Sequence, residues 1–588
     1  MDFRQNIAVL SSEPSHLAHI EEARRQGALY RFRGAGSVLH WLQGEHAYLA
    51  VNGLASLLRR LAVQFDLLQE EEVSVETCED YDLIFIPNAK HLEERTVKIL
   101  QEVSEGKTKL VISGVTNLPD QLLGVQGKIP YVPRGFIGLK GLPAFWTEPC
   151  LVSPPNYTLY RAKAAPGSKG LATLQELQNP DDPKAMSTHE LDGDGIILSD
   201  RALFLPFPIF EFIGGLLQGH LDLEPVRGLL GDAGNFYLDR MAFLLMELVS
   251  RYGWEGFGQV RIRPWGDHDH VLVLRHDTDS SRETAYLDFE KAQRVPATYA
   301  ILLDENGDFW LKETAEDPLI ERAFHFPSNR ISRFFGLLPS RSFRPDKRAI
   351  TGWGLTDQVK RARERFRVPF LTAHRHGGFL YYPETIEAMD HLYEHVPDLL
   401  GLGTMFRFTC LRYSASRGSH RSRITVRHPD VGVPLWFPFK LQVSTLERSR
   451  TLRGWDSSAF MEPDPPMTDL IFANAGLLPH GAYTMIFHPA HAKGEAFRAG
   501  GNYEWFLYAV EKVMREGWWV APAAAVYQRL NEWEELRLLV KGDQVLIHNS
   551  SSDSKEGLIL DIRGTRYPLE VLHPGETKVI ERASAHVR

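Results

Sequence analysis

Short apolar runs alternate with helical patterns along most of this chain, and this alternation restricts the folds that the chain can adopt. Strands that alternate with helices form parallel sheets whose faces are covered by the helices. Within the first 250 residues the helical patterns lie near 54–65 and 93–105, and the apolar runs are Ile7–Leu10, Leu83–Ile86 and Leu110–Ser113. We therefore predict an α/β fold whose N-terminal domain, residues 1–250, holds a flavodoxin-like parallel sheet.

A second series of apolar runs follows the amphipathic segment Phe236–Tyr252. Helical stretches again separate the runs, which are Val271–Leu274, Ala297–Leu302, Pro369–Thr372, Leu400–Gly403 and Tyr483–Phe487. This pattern predicts a central (β/α) barrel over residues 255–532. The last segment changes to short alternating strands broken by Ser, Gly and Pro, which predicts a small C-terminal β-sandwich over residues 533–588.

Composition excludes several classes of protein. The 588 residues are 43% hydrophobic and 24% charged, and the net charge of -9 disfavours a protein that holds nucleic acid along its surface. The most apolar stretch, Leu203–Leu217, is shorter than the roughly 20 residues that cross a bilayer, so it is predicted to be buried core rather than a membrane anchor. The cysteines Cys78, Cys150 and Cys410 are too scattered for a disulfide framework or a thiolate zinc site. The N-terminus has no secretory pattern, so we expect a cytoplasmic location.

Two acidic residues follow the first strand of the predicted barrel. The run Val271–Leu274 leads into the sequence RHDTD, so Asp277 and Asp279 lie at the carboxyl end of a buried strand, where barrel enzymes keep their catalytic groups. Two carboxyls this close raise each other's pKa unless a cation separates their roles, so one could hold a metal while the other acts as a base. A solvated aspartate that caps the strand end is the alternative.

The segment Arg275–Asp279, followed in the next strand by Pro296–Leu302, resembles the opening of the polysaccharide deacetylase family of carbohydrate esterases. The resemblance extends over about residues 268–532. It implies a metal-dependent hydrolase that removes acetyl groups from the amino sugars of a glycan. It also implies that Asp277 is the general base and that Asp279 binds a divalent metal, for which zinc is the expected ion.

Two histidines complete the metal site of that family, normally four residues apart after the third strand. Here the run Pro369–Thr372 leads instead to Ala373-His-Arg-His-Gly, which departs from the family pattern. His374 and His376 lie two residues apart at an extended strand end and project to one face, so they are predicted to bind the metal together with Asp279. In the alternative interpretation, one of the two histidines lies outside the coordination shell.

A pair with the spacing of four does occur further along the chain. His391 and His395 lie in the helical run 384–395 and share one face of that helix. Because a whole helix separates them from the strand end, a surface helix face is the preferred interpretation.

The last apolar strand of the predicted barrel is followed by His488 and His491. This order resembles the final motif of the deacetylases, in which a histidine is the general acid towards the leaving amine, and a pKa near neutrality suits histidine to that role. His488 is the predicted acid and His491 the alternative, although both could be structural. The family also carries an arginine that orients the base; Arg407 lies at about the right place, and Arg275, which flanks the acids, is its rival.

The stretch between the second strand and His374 is interpreted as an insertion rich in arginines and aromatic residues. Such side chains bind anionic groups and stack on sugar rings, which would suit an anionic or nucleotide-linked glycan, although solvated arginines around a loop core are equally compatible. The residues are Phe324, Phe326, Arg330, Arg333, Phe334, Phe335, Arg341, Phe343 and Arg344.

The N-terminal sequence Asp82–His91, followed by a helix and the run Lys109–Gly114, resembles the class I glutamine amidotransferase-like domains. In working amidotransferases the corresponding strand leads to a nucleophilic cysteine, whereas here the chain continues as Gly114-Val-Thr-Asn117. The resemblance therefore implies a non-catalytic scaffold that contributes to a homodimer or to the walls of a substrate cleft.

Two other functions are compatible with the same motifs. One is hydrolysis of a different amide, on a small molecule, by the same residues. The other is a carbohydrate-binding scaffold whose catalytic motifs have decayed, which the altered histidine spacing favours. The intact Asp277, Asp279 and His488 favour an enzyme.

Overall fold

The computed structural model describes residues 4–18, 46–142, 150–178, 186–217, 234, 236–254, 256–279, 281–326, 355–375, 391–408, 435–440, 442–444, 449–493 and 501–581. The chain divides into two compact units. The first unit comprises residues 1–263, 444–450 and 532–588, and the second comprises residues 264–443 and 451–531.

Strands and helices alternate up to about residue 123, and the described residues from 125 to 205 then form seven successive strands. The strands are β1 Ile7–Ser11, β2 Asp66–Gln69, β3 Leu83–Pro87, β4 Lys109–Ser113, β5 Val125–Tyr131, β6 Phe136–Lys140, β7 Cys150–Ser153, β8 Leu159–Ala164, β9 Lys169–Gln178, β10 Ser187–Leu198, β11 Ala202–Leu205 and β12 Val260–Arg263. The helices are α1 His46–Arg60, α2 Val75–Glu79, α3 Glu94–Ser104, α4 Asp120–Leu123, α5 Ile209–Leu217 and α6 Tyr237–Leu248.

The main sheet of the first unit has nine strands in the order β2-β1-β3-β4-β11-β10-β9-β6-β7. The first five are mutually parallel, which confirms the predicted parallel N-terminal sheet. The last four extend it with antiparallel pairing, which the sequence analysis does not anticipate. In β9 and β10 exposed and buried residues are mixed, so these strands lack the continuous apolar runs by which buried parallel strands are identified.

The turn after β4 contains Gly114–Asn117, the residues compared above with the nucleophile position of amidotransferases. Gly114 adopts a φ of +74° there, and a Cβ on this residue would collide with the side chain of Asn88. The side-chain oxygen of Asn88 accepts a hydrogen bond from the N–H of Val115 at 3.0 Å, and its amide donates to Glu211. The turn is thus closed by structural contacts, and the non-catalytic role of this domain stays a prediction.

The most apolar stretch of the sequence is internal core, as predicted. Its residues form β11 and α5, and every residue of α5 is buried. A Cβ on Gly214 of α5 would collide with the backbone of Leu49 on α1, so the two helices pack closely at this glycine. Among the described helices, none is long and apolar enough to cross a membrane.

From residue 264 to 534 the chain again alternates strands and helices. The strands are β13 Val271–Asp277, β14 Ala297–Leu302, β15 Ile320–Phe326, β16 Thr372–Arg375, β17 Gly401–Phe408, β18 Gln442–Ser444, β19 Ser449–Thr451, β20 Trp455–Met461, β21 Ala482–Ile486 and β22 Trp519–Val520. The helices are α7 Ala285–Gln293, α8 Gly307–Glu313, α9 Leu355–Phe366, α10 Pro465–Ala475, α11 Tyr503–Arg515 and α12 Ala523–Glu534.

Seven of these strands close into a parallel barrel in the order β13-β14-β15-β16-β17-β20-β21, and β21 pairs with β13 to complete the ring. This architecture confirms the predicted (β/α) barrel. All seven residues of β13 are buried. Because the strands are parallel, their carboxyl ends meet at one mouth, and the side chains that follow them converge there.

Strand β15 corrects the sequence interpretation, which assigns Phe324 and Phe326 to an insertion. Its sequence, IERAFHF, contains too many polar residues to be recognised as a buried strand. Glu321 is nevertheless accommodated there with only partial exposure, because it accepts hydrogen bonds from the hydroxyls of Thr298 and Thr372. These partners come from other strands of the barrel, so the sequence does not reveal them. The remaining residues of the supposed insertion, from Arg330 to Arg344, lie outside the described residues.

The C-terminal segment forms a small β-sandwich, as predicted. Its strands are β23 Leu536–Lys541, β24 Gln544–Asn549, β25 Ile559–Ile562, β26 Thr565–Pro568 and β27 Thr577–Glu581. Two antiparallel sheets, β23-β24-β27 and β12-β25-β26, contribute buried apolar side chains to one cluster. The sandwich thus includes β12, which lies far before residue 533 in the sequence.

The stability of the first unit is expected to depend on a buried ion pair. Nε of Arg60 on α1 donates to Oδ1 of Asp239 on α6 at 2.6 Å, and both side chains are almost completely buried. Asp239→Asn leaves the buried guanidinium without its counter-charge, so we expect the free energy of unfolding of this unit to fall by about 3–5 kcal/mol in chemical denaturation. Asp192→Asn, which breaks an exposed pair with Lys163, should change that free energy little; equal losses in both variants would contradict this expectation.

Candidate active site

Strand register sets the level at which each side chain enters the barrel mouth. His325 pairs with His374, and His374 pairs with Gly403, so three neighbouring strands bring these residues to one level. On β14, the residue that pairs with His325 lies two positions beyond the residue that pairs with Asp277. Asp279 is itself two positions beyond Asp277 and therefore reaches the level of His325.

Asp277, at the end of β13, is held by the arginine two residues before it. Nε and Nη2 of Arg275 donate to the two carboxylate oxygens of Asp277 at 2.7 and 2.8 Å, and Nη1 donates to the carbonyl of Gly403 at 3.0 Å. Burial alone would raise the pKa of Asp277, but the Arg275 guanidinium, together with His325 and His488, holds that pKa below its ordinary value. The carboxylate is therefore ionised at neutral pH and can accept a proton.

Asp279 contacts a histidine that the sequence analysis misses. Nε2 of His325 on β15 lies 3.0 Å from Oδ1 of Asp279 and 3.9 Å from Oδ2 of Asp277. The other ring nitrogen, Nδ1, lies 3.1 Å from the carbonyl oxygen of His374 and donates its hydrogen to it, so Nε2 keeps the lone pair in the neutral ring. A lone pair and a carboxylate oxygen this close repel each other unless a proton or a cation lies between them.

His325 could have been identified by counting the barrel strands correctly along the sequence. In the deacetylases the histidines follow the third barrel strand, and β15 is the third strand of this barrel. Because the polar sequence of β15 suggests an insertion, Pro369–Thr372 is counted as the third strand in the prediction, and the histidines that follow it are the predicted ligands. The residue four positions after His325 is Asn329, which lies outside the described residues.

His374 lies on β16, fully buried against Gly403 on β17. A Cβ on Gly403 would collide with Nδ1 of His374 and would lie 3.2 Å from Nη1 of Arg275, so this position requires glycine. Burial and the charge of Arg275 hold the pKa of His374 well below its usual range, and the imidazole is therefore neutral. The backbone of His374 orients His325, as described above.

His488 follows β21 and lies between two carboxylates. Its Nδ1 is 3.1 Å from Oε1 of Glu462, and its Nε2 is 4.0 Å from Oδ2 of Asp277. Glu462, buried after β20, also accepts hydrogen bonds from Nδ1 of His491 at 2.6 Å and from the side-chain amide of Asn502 at 2.7 Å. Burial opposes protonation, but Glu462 and Asp277 raise the pKa of His488 to about 9. The ring is therefore an imidazolium at neutral pH.

A buried network behind the acids joins the two strands that carry Asp277 and His488. Nδ1 of His276 on β13 lies 2.8 Å from the carbonyl of Phe487, the residue before His488, and Nε2 lies 2.7 Å from Oε1 of Glu290. The hydroxyl of Tyr299 donates to the other oxygen of Glu290 at 2.8 Å. These bonds fix the end of β13 against the end of β21.

The other predicted site residues are only partly described. His376 lies outside the described residues, so the joint ligand set of Asp279, His374 and His376 stays a prediction. Arg407 lies on β17, and its side chain is not among those described. The rival candidate, Arg275, is the arginine that contacts the predicted base.

Two groups of side chains bring potential metal-ligand atoms within 4.8 Å of one another in the described part of the chain. One is the set Glu462, His488 and His491, whose hydrogen bonds are given above. The other contains the spacing-of-four pair, His391 and His395, with Glu394. These three residues lie on the helical residues 391–395, in agreement with the predicted helix face.

The mouth of the barrel therefore combines groups in complementary protonation states. Asp277 is a carboxylate that can take a proton, and His488 is an imidazolium, 4.0 Å away, that can give one. Neighbouring titratable groups held in opposite states by their surroundings are characteristic of acid–base catalysis. The Asp279–His325 pair beside them has a donor set that suits a divalent metal.

Comparison with protein-family models and with curated proteins found no match. Among solved structures, the chain is similar to Agd3, titled a novel carbohydrate deacetylase, at 10% identity over 98% of both chains with a TM-score of 0.37. It is also similar to a putative polysaccharide deacetylase involved in O-antigen biosynthesis from Bordetella bronchiseptica, at 14% identity over 44% of this chain and 88% of that chain with a TM-score of 0.24. α-L-Fucosidase isoenzyme 2 from Paenibacillus thiaminolyticus has 16% identity over 39% of this chain and 34% of its own, with a TM-score of 0.24. Similarities this low assign neither a family nor an activity to the chain.

The pKa of His488 should depend on its contact with Glu462. In Glu462→Gln the carboxylate is lost and burial remains, so we expect the pKa of His488 to fall from about 9 towards or below its ordinary value. Titration of the His488 ring by NMR measures this change. Asp469→Asn, which removes a carboxylate paired with Lys512 elsewhere in the second unit, is the control and should leave the titration unaltered. An unchanged pKa in Glu462→Gln would show that Glu462 does not govern His488.

Proposed function

We propose that this protein is a metal-dependent hydrolase that removes N-acetyl groups from the amino sugars of a glycan and releases acetate. The observation that carries the proposal is the placement of an ionised Asp277 and a protonated His488 at one barrel mouth, 4.0 Å apart. Amide hydrolysis needs both groups, because the attacking water must lose a proton and the leaving amine must gain one.

Asp277 acts as the general base in this proposal. Its two oxygens are held by Arg275 at 2.7 and 2.8 Å, so the carboxylate is oriented and keeps its charge in a buried position. It takes the proton from water as the water attacks the acyl carbon. His488, oriented by Glu462, gives its proton to the sugar nitrogen as the carbon–nitrogen bond breaks.

Asp279 and His325 are the proposed holders of a divalent metal, for which zinc is the expected ion. Two ligands at about 2.0–2.2 Å from a tetrahedral zinc lie roughly 3.3–3.6 Å apart, and the two donor atoms here are slightly closer, at 3.0 Å. The Nδ1 hydrogen bond of His325 to a backbone carbonyl is typical of metal-binding histidines. The chemistry supplied by a bound cation at this position is polarisation of the acyl carbonyl and a lowered pKa of the attacking water.

The remaining ligand positions are also part of the proposal. His376 is the residue that follows β16 in the sequence. It stays a candidate ligand, as does His374, because the sequence predicts that both bind the metal together with Asp279. The neutral state of the buried His374 is compatible with ligation, since a histidine must be deprotonated to bind a metal.

An acetylated glycan is the proposed substrate, on the resemblance of the segment 268–532 to the polysaccharide deacetylases. Hydrolysis of another amide on a small molecule uses the same residues and is the second candidate. The first unit is proposed to be a non-catalytic scaffold, in a homodimer or in the walls of a substrate cleft. Acetate release from a panel of N-acetylated oligosaccharides and small amides tests the choice between these substrates; release from neither would remove the deacetylase proposal.

Substitution of each acid separates the base from the ligand. Asp277→Asn keeps the shape of the side chain but cannot accept a proton, so acetate release should fall by roughly 10²–10⁴-fold while metal content is nearly unchanged. Asp279→Asn removes a charged ligand, so bound metal and activity should both be lost, and excess metal should partly restore turnover. Metal analysis beside the activity assay distinguishes the two. If Asp277→Asn loses metal while Asp279→Asn keeps it, the two roles are exchanged.

A series of histidine variants tests the ligand set. Since Nε2 of His325 lies 3.0 Å from Asp279, His325→Ala should lower the metal content at least as much as His376→Ala does. His573→Ala, at an exposed position of the first unit, is the control and should retain all bound metal. Full metal occupancy in His325→Ala, measured by elemental analysis after dialysis, would exclude His325 as a ligand.

A further inference from the structure

A second cluster of potential metal ligands lies on the helical residues 391–395, away from the barrel mouth. His391, Glu394 and His395 have ligand atoms that all lie within 4.8 Å of one another. Positions i, i+3 and i+4 of a helix share one face, which explains why these three side chains meet. Two imidazoles and one carboxylate form a donor set of the kind that binds zinc.

The surrounding contacts place this cluster at the amino ends of the barrel strands. The hydroxyl of Tyr393 donates to the carbonyl of Trp455, the first residue of β20, at 3.2 Å. Nη2 of Arg453, two residues before that strand, donates to the carbonyls of Tyr393 and Val396 at 2.9 and 2.8 Å. The catalytic candidates follow the carboxyl ends of the strands, so the cluster lies at the opposite end of the barrel.

Hydrogen bonds to the second ring nitrogen orient both imidazoles. Nδ1 of His395 lies 2.9 Å from the carbonyl oxygen of His391, so Nδ1 carries the hydrogen and Nε2 has the lone pair that can bind a metal. Nε2 of His391 lies 2.8 Å from the hydroxyl of Thr356 on α9. The two ring centroids are 3.9 Å apart. Outer hydrogen bonds of this kind accompany histidines that bind metals.

The electrostatics of this position favour a cation. Residues 391–395 are the last turn of their helix, because the helical hydrogen bonding ends as the chain turns at Val396. Backbone carbonyls at the end of a helix carry partial negative charge, and Glu394 adds a carboxylate. Mixed nitrogen and oxygen donors suit zinc and its neighbours among the transition metals rather than calcium or magnesium, which prefer oxygen donors.

We propose that His391, Glu394 and His395 form a second metal site that binds one divalent transition-metal ion of the zinc class and stabilises the barrel without taking part in hydrolysis. The ion would link the end of the helix, which is bonded to β20 through Tyr393, with α9 through Thr356. The amino end of such barrels contributes to stability, whereas the carboxyl end carries the chemistry. This site is independent of the proposed function.

Equilibrium dialysis of the 588-residue chain against Zn²⁺ tests the proposal. The double variant His391→Ala/His395→Ala should bind one equivalent fewer than the wild type, and the control His573→Ala should bind as the wild type does. Glu394→Gln, which keeps both imidazoles, should weaken binding at this site by at least about tenfold, the lower end of what the loss of even an outer partner costs. If circular dichroism shows that the double variant is poorly folded, Glu394→Gln alone still tests the site.

Two further measurements separate this site from the barrel mouth. The rise in Tm that Zn²⁺ produces should be smaller in the double variant than in the wild type, whereas acetate release should be unchanged. Asp279→Asn should lose the equivalent bound at the mouth and keep the one bound at His391 and His395, so failure of one site does not imply failure of the other. Equal Zn²⁺ stoichiometry in the wild type and the double variant, with unchanged affinity in Glu394→Gln, would overturn the proposal.

Discussion

The buried pairing of Arg275 with Asp277 is the contact on which the barrel mouth depends. Burial alone would raise the pKa of a carboxyl in this position, and a buried guanidinium without a partner would be strongly destabilising. Here two N–H groups of Arg275 satisfy both oxygens of Asp277, and a third reaches the carbonyl of Gly403. Because Gly403 has no side chain, the guanidinium and the ring of His374 fit side by side inside the barrel.

His488 is likewise supported by a buried group of opposite charge. Glu462 compensates the imidazolium of His488 as Arg275 compensates the carboxylate of Asp277, and its own charge is supported by His491 and Asn502. Opposite charges thus alternate around the mouth, and each has a buried partner. Arg275 lies on the same strand as Asp277, whereas Glu462 follows the strand that pairs with the strand before His488. Removal of a partner would shift the pKa of the group that it supports, which is why these partners matter for chemistry as well as for stability.

The closed barrel has two ends, and each end carries one of the proposed metal sites. At the carboxyl ends, register brings Asp279 and His325 to the same level and places Asp277 within 4.0 Å of His488. At the amino ends, the helix that carries His391 and His395 is bonded to the start of β20 through Tyr393. The proposed catalytic and structural metal sites therefore lie at opposite ends of the barrel.

Sequence alone determined the α/β class, the parallel barrel and the placement of Asp277, Asp279 and His488 at strand ends, because buried parallel strands are continuous apolar runs and the residues after them must lie at the mouth. Only the tertiary structure decided the third barrel strand, since the polar residues of β15 are satisfied by partners from other elements, as Glu321 is by Thr298 and Thr372. It likewise decided that His325 meets Asp279, that Arg275 holds Asp277 and that Glu462 holds His488. Such contacts join residues far apart in sequence, and they follow from strand register and barrel closure, which no local pattern of residues specifies.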